Sequence, residues 1–146
     1  MEISAALMLV SAGAFAGGAA TFSWSRVPIW RSMELPAFGD DFSATIRRTD
    51  KVQPALLVAA ILSSTAFAAA AEGSASALGW IGAGGLVVTL VASVAVLVPL
   101  QRRIIASARR LDAEVEPMRA RWFRGHLGRS TLSMAPFVAL VLAVTV

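Results

Sequence analysis

Four stretches of this sequence contain no Asp, Glu, Lys, Arg or His: Ile3 to Phe22, Val52 to Ala71, Leu78 to Leu100 and Ser130 to Val146. A helix needs about 20 apolar residues, within a range of roughly 17 to 25, to cross the hydrocarbon core of a bilayer. All four stretches meet that length, the last by the smallest margin. Inside hydrocarbon every backbone N–H and C=O must be satisfied within the protein, so stretches of this kind become helices. The expected fold is all-α: an integral membrane four-helix up-down bundle with cytoplasmic helix extensions, forming one domain over residues 1–146 with spans at about 3–22, 52–71, 78–100 and 130–146. An apolar content of 57%, a charged content of 15% and a mean hydropathy of +0.71 place the chain outside the soluble globular range. Glu2 stands where a signal peptide carries basic residues, so the first stretch is expected to remain as a helix.

Charge placement orients the bundle. Arg26, Arg31, Arg47, Arg48 and Lys51 fall in the first connection, and Arg102, Arg103, Arg109, Arg110, Arg119, Arg121, Arg124 and Arg129 in the third. Neither the second connection nor either terminus carries Lys or Arg. The positive-inside rule then makes the basic connections cytoplasmic and puts both termini outside, as in a bacterial-type plasma membrane. The lipid bilayer, with its anionic headgroups, accounts for the net charge of +4, and no nucleic acid partner is implied. There is no cysteine, which removes disulfides and thiolate chemistry.

Gly13-Ala-Phe-Ala-Gly17 has the small-xxx-small spacing that lets another helix approach, either inside the bundle or across a homo-oligomer face. Trp24 and Trp30 suit an interfacial belt. In the long connection Ser23 to Lys51, Val27-Pro28 and Leu35-Pro36 favour extended or turn conformations. Asp40 or Asp41 is placed to cap a short helix with Phe42 and Ile46 on its apolar edge. Pro54 fits the first turn of the second span. Glu72 to Ala77 reads as a short external turn, followed by Trp80 as an anchor and by Gly79, Gly82 and Gly85 as a close-packing stripe. Pro99 marks a kink or the exit of the third span. Beyond it a basic amphipathic segment through Leu111, with Ile104, Ile105 and Ala108 apolar, suits an anionic surface. Pro117 suits the start of a final helix that outlasts the membrane core.

The chain's only histidine lies in Arg119-Ala-Arg-Trp-Phe-Arg-Gly-His-Leu-Gly-Arg129. On a helix Trp122, His126 and Arg129 form one stripe, since their spacings are four and three. Gly125 and Gly128 clear space beside the imidazole for a helix or a ligand. The topology places Trp24, Gln53, Gln101, Trp122, His126 and Arg129 in one layer at the cytoplasmic mouth of the bundle. Such a layer is either a ligand site or a membrane-interface belt. Histidine can exchange a proton near neutral pH. One His without Cys is too few for a zinc or bis-histidine haem site, so no metal and no cofactor is expected. Phosphate-binding loops are absent, and the spans lack the carboxylate that a proton-coupled exporter needs.

Gly13-Ala-Phe-Ala-Gly-Gly18, Val27-Pro28, Thr49-Asp-Lys-Val-Gln-Pro54, Pro99-Leu-Gln-Arg-Arg103 and Arg121-Trp-Phe-Arg-Gly-His-Leu-Gly-Arg129 together resemble the anthrone-oxygenase-like family of small four-helix membrane proteins. The resemblance implies oxidation of an aromatic small-molecule substrate, an anthrone in the fungal members, by dioxygen without a recognised metal or flavin. Gln101 stands where the family often has Asn, and Val27 where many members have His. On this reading a phenolic tricycle stacks on Trp122, His126 removes a benzylic or phenolic proton, and Arg129 with Gln101 or Gln53 stabilises the oxyanion, while Trp24 helps to bind.

The alternative is a non-catalytic accessory or lipid-binding protein whose basic face docks headgroups or a partner. In that case phosphate-bearing lipid or the partner protects the third connection from proteolysis, and charge reversal at Arg109 and Arg110 abolishes the protection. Protection that survives the reversal counts against this alternative.

Overall fold

The computed structural model describes residues 2–108 and 113–146. Helix α1 covers Glu2–Ser32, α2 Leu35–Ala70, α3 Gly73–Ala92, α4 Val98–Ala108 and α5 Val115–Ala143. A π-helical turn, Ser93–Leu97, joins α3 to α4, so Gly73–Ala108 is one continuous rod. This rod, α1, α2 and α5 are all long and apolar enough to cross a membrane. Helix α1 packs on α2 and α5, and α3 packs on α2 and α5, so sequence neighbours are also neighbours around the bundle.

The helices are longer than a bilayer requires. At 1.5 Å per residue the 36 residues of α2 extend roughly 54 Å, against about 30 Å of hydrocarbon. Their excess length converges at the arginine-rich end. There Trp30, Phe38, Phe42, Ile104, Val115, Trp122 and Phe123 form one buried cluster. A second cluster, around Met8, Phe15, Leu57, Leu86 and Leu140, fills the other end.

The expected long first connection is therefore mostly helix. Val27-Pro28 does not end α1, because Pro28 lies inside it. The last carbonyls of that helix lack partners of their own, and α5 supplies one: the Arg119 guanidinium donates to the carbonyls of Trp30, at 3.1 Å, and Met33, at 2.8 Å. Its other amino group donates to Glu116 at 2.7 Å, and its charge lies over the Phe38 ring at 5.0 Å. Leu35-Pro36 does break the chain, and Pro36 sits in the first turn of α2, where its missing donor costs nothing. Asp40 and Asp41 do not cap a separate helix, since both lie within α2. Asp41 instead accepts the indole N–H of Trp30 at 2.6 Å and faces Arg26 at 3.5 Å. Trp30 is thus fully buried and not part of a membrane belt, whereas Trp24 and Trp80 are exposed.

Pro54 lies in the interior of α2, not at its start. Pro99 neither ends the third rod nor interrupts its course. The ring of a helical proline displaces the carbonyl four residues earlier. Here that residue, Ala95, is the middle of the π turn, which absorbs the misfit. Ile104 and Ala108 pack into the aromatic cluster, and a Cβ on Gly39 would come within 2.8 Å of Ala108, so α4 rests on α2 instead of a lipid surface. The Arg109 to Leu111 part of that amphipathic segment lies outside the described residues.

The glycines do what the stripe suggests. A Cβ at Gly79 would meet Ala68 at 2.8 Å, and one at Gly85 would meet Pro136 at 2.9 Å, so α3 lies tight against both α2 and α5. Gly13 receives Phe137 of α5, which spends half of the small-xxx-small pattern inside the bundle, while nothing lies within 4 Å of the Cβ position of Gly17. The external turn is shorter than expected: α3 starts at Gly73, whose φ of +56° only glycine adopts freely.

Replacing Trp30 by Ala is expected to cost about 3–5 kcal/mol, the range for emptying a large aromatic site. Trp24→Ala should leave the unfolding midpoint near the wild-type value. Thermal unfolding in detergent, followed by circular dichroism, compares the two directly.

Candidate active site

Between the two clusters lies a cavity of about 120 Å³. Phe15 and Leu57 of one cluster and Ile46, Leu97 and Trp122 of the other form its apolar walls. The seam arises where the packing changes over, and polar side chains from three helices are drawn into it. Helix α2 contributes Asp50 and Gln53, α4 contributes Gln101, and α5 contributes His126 and Arg129. On the remaining side α1 brings Phe22 and Gly18. Gly18 lets α1 come close to the amide end of Gln53, which a Cβ there would press upon.

His126 is buried and rigidly oriented. Its ring stacks on the Trp122 indole at 4.8 Å with planes 7° apart, and the Phe22 ring meets it edge-on at 5.0 Å. One turn on, Ser130 donates between the carbonyls of His126, at 2.9 Å, and Ala19, at 3.0 Å, and touches Ser23 at 2.9 Å, which pins this stretch of α5 to α1. Arg129 Nη2 lies 3.3 Å from His126 Nδ1. A guanidinium only donates, so Nδ1 must accept and the ring proton belongs on Nε2. The backbone of Ala19 acts on the ring, yet no group completes a hydrogen bond to Nε2.

Three more buried polar atoms of this cavity also lack a protein partner: Gln53 Oε1, Trp122 Nε1 and Arg129 Nε. An unmet buried polar group costs about 1–3 kcal/mol, so four around one space mark a place shaped for polar contact with a ligand. Gln101, by contrast, is committed: its Nε2 donates to Asp50 Oδ2 at 2.9 Å. Asp50 stands at the exposed mouth. Its carboxylate and the Arg129 guanidinium attract one another across the cavity without closing into an ion pair. Asp50 is the carboxylate of the cavity lining and His126 its imidazole.

The lining reaches exposed residues between α2 and the π turn. Helix α2 contacts α3 on one side and α4 on the other, but it makes no close approach to the π turn between them. Pro54 and the exposed Val94 border that gap, and both line the cavity.

Five of the six residues expected in one layer, Gln53, Gln101, Trp122, His126 and Arg129, do share this cavity. Trp24 does not: it is 79% exposed on the outer side of α1, because the continued helix turns it away from the interior. Gly125 admits Leu97 of the π turn, and Gly128 faces open space. Sequence reasoning overlooked Asp50 and Phe22. The signal for Asp50 was present, since Asp50, Gln53, Pro54 and Leu57 fall at i, i+3, i+4 and i+7 on one helical face.

Residues 42–139 match a family model described as anthrone oxygenase, which covers more than half of the chain and the whole α2, α4 and α5 lining of the cavity. The chain belongs to the anthrone oxygenase family. Comparison with curated proteins and with solved structures gives no match. Among family features noted in the sequence, the Trp-Phe-Arg-Gly-His-Leu-Gly-Arg run supplies the ring stack and the guanidinium, and the Asp-Lys-Val-Gln-Pro run supplies the carboxylate and amide opposite.

Because the chain has one histidine, isotope labelling of histidine reports on His126 alone. Nitrogen NMR of labelled protein should show the neutral ring with its proton on Nε2. Arg129→Met should weaken that tautomeric preference, as its side chain no longer donates to Nδ1.

Proposed function

We propose that this anthrone oxygenase family member oxidises an electron-rich phenolic tricycle of the anthrone type with dioxygen. The observation that carries the reading is the fixed His126 ring in the cavity wall: it is stacked on Trp122 and bonded at Nδ1 by Arg129, and its Nε2 is one of four buried polar atoms around the cavity that no protein group satisfies.

A planar aromatic substrate finds apolar walls and aromatic faces at Phe15, Phe22 and Trp122. Its ketone oxygen sits against His126 Nε2–H and the Arg129 guanidinium. When a C–H proton adjacent to the ring ketone system leaves, the electron pair moves onto that oxygen. Donors fixed in advance at a site of developing charge lower the barrier, because little reorganisation is needed. The Arg129 contact thus turns His126 from the expected proton remover into an oxyanion donor. The resulting enolate is itself the electron donor to dioxygen, so the chemistry needs no further redox group. Gln53, with its free carbonyl oxygen, accepts from a substrate phenol.

The apolar gap beside Pro54 and Val94 suits a lipophilic substrate that arrives from the bilayer. With the arginine-rich end on the cytoplasmic side, as the positive-inside rule has it, the cavity lies toward the cytoplasmic leaflet and both termini lie across the membrane.

Oxygen uptake by protein purified in mild detergent, on adding emodin anthrone, tests this. His126→Ala and Arg129→Ala should each slow turnover by about 10²–10³-fold, the usual loss on removing an oxyanion donor. Full turnover in both variants would falsify the assignment.

A further inference from the structure

We propose that Asp50 is the catalytic base, the group that takes the proton from the substrate carbon. This rests on the oxygenase reading above and names the proton acceptor that the reading leaves open.

Three observations lead to it. His126 is a poor base in this geometry, because the lone pair on Nδ1 is engaged by Arg129 and Nε2 carries the proton. Asp50 is the carboxylate of the cavity lining, and it belongs to the opposite wall, on α2. Its carboxylate is held from one side only: Gln101 donates to Oδ2, which leaves Oδ1 free to point at a ligand. Gln101 thereby acts as a positioning residue for the base. Burial raises the Asp50 pKa and so strengthens it as a base, and the charged groups facing it, Arg129 from α5 and Arg102 from α4, counter that only in part.

The arrangement also matches the substrate class. In an anthrone the acidic CH₂ and the ketone lie at opposite ends of the central ring. A site that ionises it needs a base and an oxyanion donor on opposite walls, and an ion pair between them would close the site. Asp50 and Arg129 attract across the cavity but stay apart.

The atoms balance as follows. Asp50 Oδ1 takes one proton of the CH₂, the C–H pair becomes the enolate, and its oxygen is held by Arg129 and His126. The enolate gives one electron to dioxygen, and the carbon radical and superoxide combine into a carbon–oxygen bond. The peroxide anion takes the proton back from Asp50. Loss of the second C–H proton with cleavage of the O–O bond then forms the new ketone and releases one water. Dioxygen supplies one atom to the quinone and one to water, and the CH₂ carbon is the group oxidised.

The test compares wild type, Asp50→Asn and Asp50→Ala in detergent, with emodin anthrone as substrate. Asn keeps an acceptor for Gln101 but cannot take a proton. Both variants should slow oxygen uptake by about 100-fold or more, within the usual range for a general base. Formate or acetate should restore part of the rate in Asp50→Ala, or the Asp50→Asn rate should rise steeply with pH as hydroxide replaces the carboxylate. Either response supports the role, since a residue needed only for packing produces neither. Unchanged turnover, or lost turnover with neither rescue nor the steeper pH dependence, overturns the assignment of Asp50 while wild-type uptake keeps the oxygenase reading intact. A wild-type protein that consumes no oxygen with anthrones overturns the reading itself.

Discussion

Trp30 ties three helices together at the arginine-rich end, and the cavity below depends on it. Its indole N–H is bonded by Asp41 of α2, its carbonyl by Arg119 of α5, and its ring lies 5.9 Å from that of Trp122. Trp122 in turn carries the His126 stack. The orientation of the imidazole is therefore fixed by a chain of aromatic contacts and charge-assisted bonds that begins outside the cavity. Arg119 is central to this because it is almost fully buried, and a buried guanidinium is tolerable only when its donors are met. Two carbonyls and Glu116 meet them.

The bilayer explains why polar groups gather at the seam. Apolar helix faces gain nothing by avoiding lipid, so tight association in the spans relies on close packing through Gly79, Gly82 and Gly85. Above the spans, the aromatic cluster packs large rings. Where small-residue packing gives way to ring packing, the helices cannot match on every side, and the π turn before Pro99 widens the mismatch next to α2. Polar side chains then line an apolar-walled space. In this setting a carboxylate and a guanidinium are kept apart yet within each other's field.

Much of this was legible in the sequence. The four charge-free stretches dictated the helices, and the spacing of Trp122, His126 and Arg129 dictated their shared face. What escaped was the length of α1 and α2. Prolines in the first connection were read by their local preference, yet Arg119, far away in sequence, holds the carbonyls on which α1 ends. That long-range bond also buried Trp30 and turned Trp24 outward, so two tryptophans with the same apparent role separated. Asp50 was overlooked because it lies just outside the apolar stretch and reads as part of a solvated basic connection. Its partner Gln101 is 51 residues away, and only the fold brings the two together.

The most direct measurement of the central claim is the fate of labelled oxygen. Detergent-purified protein is supplied with ¹⁸O₂ and an anthrone, and the quinone is analysed by mass spectrometry alongside oxygen consumption. One labelled atom in the quinone for each dioxygen consumed is the predicted result. A quinone with no label, or no consumption above the rate of the substrate alone, would contradict the account.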